Sequence, residues 1–217
     1  TSSLLIFTTF NCNLPKKIHN FIFFICPTFC WKKYYMQSFK ITLEKLCLEQ
    51  FDKYGWILEP HGDCDFGRPR LKNWRLPFNS DADPRLQIMR YSNKEHKLSI
   101  FERHKYVTEL RAPIGRAAAI LVVAGEPSSD EVPNVESVRA FLLNGSTGIM
   151  FRKGVWHGVD CFPINSEFVD YLFLSDEETE NEIEASKKPR NGKRTEIYDF
   201  SSLNLSFQII DTEGLIV

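Results

Sequence analysis

Residues 139–158 read RAFLLNGSTGIMFRKGVWHG. Two short apolar runs, Phe141 to Leu143 and Ile149 to Phe151, flank an Asn144-Gly145 pair, and a third run ends at His157 between Trp156 and Gly158. Asn-Gly tolerates positive φ at both residues, so it marks a tight turn and signals a hairpin between the flanking strands. Outward from this stretch the same pattern repeats. "LQIMRYS", "LSIFERH" and "VDYLFLS" are strand-like runs, and "AAAILVVAG" is a continuous apolar run expected to be buried on both faces. Many short strands at this spacing predict a mainly β fold, a barrel or sandwich rather than an alternating α/β sheet.

The rest of the body reads less regularly. Residues 36–60 predict a short strand and then a helix from about Thr42 to Tyr54, with Thr42 as N-cap and Gly55 as stop. Residues 60–84 are rich in Gly, Pro, Asp and Asn and predict loop with brief extended pieces. The run from about 175 to 196, acidic first and basic second, has few apolar residues to offset its ordering entropy, so a mobile loop is expected. "LSFQII" near the end alternates again and is expected to return as an edge strand.

Charge divides the chain of 217 residues at Met36. Residues 1–35 hold four lysines, no acidic side chain and nine aromatic residues, which leaves 23 basic against 28 acidic side chains for the remainder. Three readings of that first segment stand side by side: a targeting leader, an ordered extra element, or translated non-coding sequence ahead of a start at Met36. The expected organisation is an N-terminal extension 1–35 outside the fold and one domain over 36–217. A formal net charge of −1 gives no field for nucleic acid or an anionic membrane. No apolar run reaches the length of a membrane helix. The three cysteines of the body, Cys47, Cys64 and Cys161, form no even framework, which points to a reducing, cytoplasmic setting, with organelle targeting by residues 1–35 left open.

Chemistry-bearing residues are few. Among five histidines there is no HExxH and no pair two residues apart, so a metal site has weak support from spacing. In Phe101-Glu102-Arg103-His104 strand alternation puts Glu102 and His104 on one face. That pair is a carboxylate–imidazole site if the face lines a barrel, and a salt-bridged strand end if it does not. His157 has glycines on both sides, which permit close approach of a ligand, yet a lone histidine beside a tryptophan is more often structural. Arg90, Arg111, Arg152 and Lys153 are cations able to hold a carboxylate.

These marks, taken in order, resemble the ureidoglycolate lyase family from about Met36 to Leu174. They are "LEKLCLEQFDKYGWILE", Arg90, "FERH" at 101–104, Thr108, "APIG" at 112–115, "ILVVAG" at 120–125, "VESVRAFLLNGSTGI" at 135–149 and "GVWH" at 154–157. The resemblance implies a cupin-like double-stranded β-helix barrel with a few short helices, a homodimer, and cleavage of (S)-ureidoglycolate to glyoxylate and urea in purine (allantoin) degradation. It implies His157, Glu102 and His104 as catalytic groups, and Arg90, Lys153, Thr108, Glu109 and Trp156 around a small carboxylate substrate. A divalent metal is left open as cofactor. The alternative is an altered cupin-like protein that binds a small carboxylate metabolite without cleaving it. Departures from the family pattern cluster at the pocket: Gly158 stands where a second histidine is usual, Lys105 for a proline, Glu109 for a glutamine, and Arg111 for an aromatic. A glutamate there repels a carboxylate unless Arg111 pairs with it.

Overall fold

The computed structural model describes residues 36–125, 132–185 and 192–210; the segment 1–35 lies outside them. Sixteen strands follow in chain order: β1 (Gln37–Lys45), β2 (Gly55–Ile57), β3 (Phe66–Arg68), β4 (Leu71–Asn73), β5 (Pro84–Ser92), β6 (Lys97–Leu98), β7 (Ile100–His104), β8 (Glu109–Ile114), β9 (Ala118–Ala124), β10 (Arg139–Leu143), β11 (Ile149–Phe151), β12 (Trp156–Gly158), β13 (Phe162–Ile164), β14 (Phe168–Asp176), β15 (Thr195–Asp199) and β16 (Leu205–Ile210). Helices are short, α1 (Leu48–Phe51) and α2 (Glu177–Ala185), with two 3-10 turns.

The pairing is nested around the β9–β10 hairpin. β8 pairs with β11, β7 with β12 and β5 with β14, so the chain folds back on itself as one long ribbon. Coiling that ribbon deals alternate pairs to two sheets: β7-β12-β9-β10 in one and β5-β14-β8-β11 in the other. This is the arrangement of a double-stranded β-helix, with two curled sheets packed face to face. The first sheet extends through β1, β16 and β6 and carries β15 beyond β7.

β9 is buried along nearly its whole length because both its faces are covered. Ala119, Leu121 and Val123 pack with Phe141, Ile149, Phe151 and Tyr171 between the sheets, while Ile120, Val122 and Ala124 pack with Phe101, Trp156, Phe162 and Phe207 on the other face. Burial of each such side chain contributes roughly 1.5–3 kcal/mol.

Several sequence expectations change here. Asn144-Gly145 makes no hairpin: β10 pairs with β9 and β1, β11 with β2 and β8, so the turn carries the chain from one sheet to the other. Gly145 still needs to be glycine, at φ +81° with an added Cβ only 2.4 Å from the Arg116 carbonyl oxygen. The helix expected from Thr42 is strand β1 through Lys45, because parallel pairing with β16 and β10 claims its backbone; only Leu48–Phe51 is helical. β16 is not an edge, lying between β1 and β6.

The polar run expected as mobile loop begins as the end of β14 and the helix α2, and it finishes in β15. Asp176 caps α2 by accepting from the Thr179 N–H at 2.7 Å. Arg194, buried at the start of β15, ties Asp176, Thr179 and Glu178 together. Long-range partners supply what local apolar content does not. No helix among the described residues is long and apolar enough to cross a membrane.

Candidate active site

Strand alternation on β7 and β12 builds the site between the two sheets. On β7 Phe101 packs into the outer cluster and the Arg103 guanidinium lies over the Trp156 ring, while Glu102 and His104 face inward. On β12 His157 registers opposite Glu102, and their side chains meet with Nε2 3.5 Å from Oε1. Glu102, His104 and His157 offer ligand atoms all within 4.8 Å of one another.

Glu109, at the start of β8, completes the group. Its Oε2 accepts from His104 Nε2 at 3.0 Å and lies 3.7 Å from His157 Nε2, and its Oε1 accepts from Arg111 Nε at 2.6 Å. His104 Nδ1 pairs with the Thr195 hydroxyl at 3.0 Å. Phe151 stacks on the His157 ring, with centroids 4.5 Å apart.

Burial and the neighbouring charges set the ionisation of these groups. Burial opposes ionisation of Glu109, but Arg111, His157 and His104 outweigh it and hold the carboxyl far below its ordinary range. Burial likewise works against Glu102, but the nearby His157 and His104 rings overcome it, so its pKa is also lowered. For His104 burial favours the neutral ring, yet the Glu109 hydrogen bond and charge raise its pKa.

His157 is positioned for proton or cation chemistry. Its Nδ1 lies 3.1 Å from the Val155 carbonyl oxygen, to which only an N–H can donate, so Nδ1 carries a proton. Nε2, buried and without a hydrogen-bond partner among the described residues, faces two carboxylates. A proton or a cation arriving at that lone pair is stabilised by both carboxylates. Two imidazoles and a carboxylate are a donor set that fits a divalent transition metal.

The other expected site residues divide. Trp156 points away from His157 into the outer core, and Gly158 does the same: an added Cβ would meet Leu98 and Val122 of that core. A second histidine at 158 would therefore not reach the lumen through this backbone. Thr108 spends its hydroxyl on the backbone of Asn79, accepting at 2.9 Å and donating at 3.3 Å. Arg90 is on the outer face of β5, held by both oxygens of Asp170 at 2.7 and 2.8 Å and lying over Phe168. Lys153 sits half-buried on the turn before β12, next to Gly154, whose N–H reaches the His104 carbonyl. Of Arg90, Arg111, Arg152 and Lys153, Arg111 is the buried one. The Glu-x-Arg spacing, which puts both residues on one strand face, is the sequence signal that could have singled it out.

Buried acid, base and cation converging in a double-stranded β-helix define a site for a small polar molecule. The family model for ureidoglycolate lyase matches residues 38–191. Relatives include a ureidoglycolate lyase of Pseudomonas syringae, 31% identical over 127 residues, which is 54% of this chain and 73% of that protein. Another, from Saccharomyces cerevisiae, is 23% identical over 167 residues, covering 62% and 84%. RmlC of Streptococcus suis, solved with dTDP-D-xylose, is a distant structural neighbour at TM-score 0.30 and 10% identity, covering 44% of each chain. The chain belongs to the ureidoglycolate lyase family.

Proposed function

We propose that the chain cleaves (S)-ureidoglycolate to glyoxylate and urea, a step of purine degradation in the cytoplasm. The single observation that carries this reading beyond family membership is the unpartnered Nε2 of His157 among Glu102, His104 and Glu109. The substrate carries a hydroxyl and a ureido nitrogen on one carbon. His157 Nε2 takes the hydroxyl proton, the C–O bond becomes the glyoxylate carbonyl, and the C–N pair leaves with urea. A proton must reach that nitrogen, and the imidazolium of His157 or of His104 returns it. Glu102 and Glu109 keep both imidazoles oriented, and their charge stabilises the imidazolium that forms as the proton is taken.

Convergence of acceptors also favours a second reading: Glu102, His104 and His157 would hold a divalent cation, which would supply Lewis-acid polarisation of a substrate oxygen. Stoichiometric metal in the purified protein, together with activity lost to chelator and regained on adding the ion, supports that version. Activity without metal supports His157 as the free base.

The family resemblance also carries a homodimer. Leu86 and Ile88 stand exposed on β5, which ends its sheet among the described residues, and Leu172 is exposed beside them on β14. This apolar face is the one a second copy would bury.

The test is glyoxylate release from ureidoglycolate by the full chain, with and without added divalent metal. Turnover well above background supports the lyase; its absence under both conditions overturns it.

A further inference from the structure

Arg111 is the largest fully buried side chain that carries a charge, 1% exposed in the middle of the lumen. Its Nε donates to Glu109 at 2.6 Å. Nη1 has no hydrogen-bond partner among the described residues although it is buried. Its guanidinium carbon lies 5.5 Å from the Phe151 ring, the same ring that stacks on His157, and 5.6 Å from the Tyr91 ring. Two orphaned polar atoms, Arg111 Nη1 and His157 Nε2, therefore flank one carboxylate, that of Glu109. A buried guanidinium donor aimed at nothing is costly and calls for an acceptor, and a guanidinium fork fits a carboxylate.

We propose that Arg111 and His157 together form an α-hydroxycarboxylate site, with the acid's carboxylate on Arg111 Nη1 and its hydroxyl on His157 Nε2. This deepens the lyase reading by assigning the substrate's carboxylate to Arg111, and it rests on that reading only for the name of the acid. Glu109 between them does not repel the ligand, because Arg111 and His104 already neutralise it. Arg90, the cation first expected in this role, is committed to Asp170 on the outside.

Calorimetric titration of the full chain with glycolate tests the site, with acetate as the acid lacking the hydroxyl. Removing Arg111 alone would strand the Glu109 charge, so the informative variant is Glu109→Gln with Arg111→Phe, a neutral pair of similar bulk. Wild type should bind glycolate at least tenfold tighter than acetate. The double variant should lose glycolate affinity by roughly a hundredfold while keeping its circular dichroism spectrum. Should that variant fail to fold, Arg111→Lys keeps the charge but loses the fork, and a tenfold or greater loss of affinity is expected. Equal glycolate affinity in wild type and a folded variant, or no glycolate binding by wild type, overturns the proposal. Glyoxylate release that persists while glycolate affinity ignores Arg111 would refute this assignment and leave the lyase standing. Glycolate binding that depends on Arg111 without turnover would refute the lyase alone.

Discussion

At the scale of single residues, one strand face decides which groups can act. His157 has its Nδ1 fixed by the Val155 carbonyl, so only Nε2 is left to act. Replacing it by alanine should lower kcat for glyoxylate formation by about 10²–10⁴-fold, the range of a lost general base or acid, without altering the far-ultraviolet spectrum. Arg90→Ala should leave kcat and KM within about twofold, because its guanidinium faces solvent and Asp170. A large rise in KM in that variant would return the substrate to Arg90. The sequence made Glu102 and His104 legible as a pair, since alternation places residues two apart together whichever way the strand faces. It did not say which face of β5 was inward. Leu86, Ile88 and Arg90 share the outer face, and their apolar neighbours made that face look like the core.

Elements are held by contacts that local sequence does not display. α2 is strongly acidic, with three glutamates in its first turn and no basic residue in its last. It stands because Arg194 bridges to Asp176, Glu178 and Asp81, and Arg85 pairs with Glu184. Those partners lie up to 113 residues apart, which is why the run reads as loop from composition. Arg194→Met should cost about 3–5 kcal/mol in urea unfolding at neutral pH, because fully buried Asp176 then loses its cation. Burial opposes ionisation of Asp176, but hydrogen bonds from Ser80, Thr179 and Arg194 lower its pKa in the fold. Stability from a lowered carboxylate is complete above the unfolded value, about 3.9, and fades as pH falls through the folded one. The gap between wild type and Arg194→Met should therefore narrow in acid, and a gap that widens would contradict this pairing. Gly145→Ala should cost roughly 1–3 kcal/mol from left-handed strain, and more if the Arg116 carbonyl does not move away.

For the whole molecule, the order of strands matters more than any motif. A nested ribbon coiled into two sheets brings residues 102, 104, 109 and 157 into one lumen from three strands. The main strands were readable from apolar runs and turns, but the short ones such as β3, β4 and β6, and the sheet each strand joins, were not. Asn144-Gly145 shows why: a turn signal fixes a reversal without fixing the partner. If the outer face of β5 and β14 joins two copies, Ile88→Asp should shift the sedimenting species from dimer to monomer, and an unshifted dimer would place the interface elsewhere. The most direct test of the account is the rate of glyoxylate release from (S)-ureidoglycolate by the full chain beside its His157→Ala variant, each with and without divalent metal. The account predicts turnover that collapses in the variant. No turnover by the wild-type chain in either condition, or equal turnover in both proteins, would contradict it.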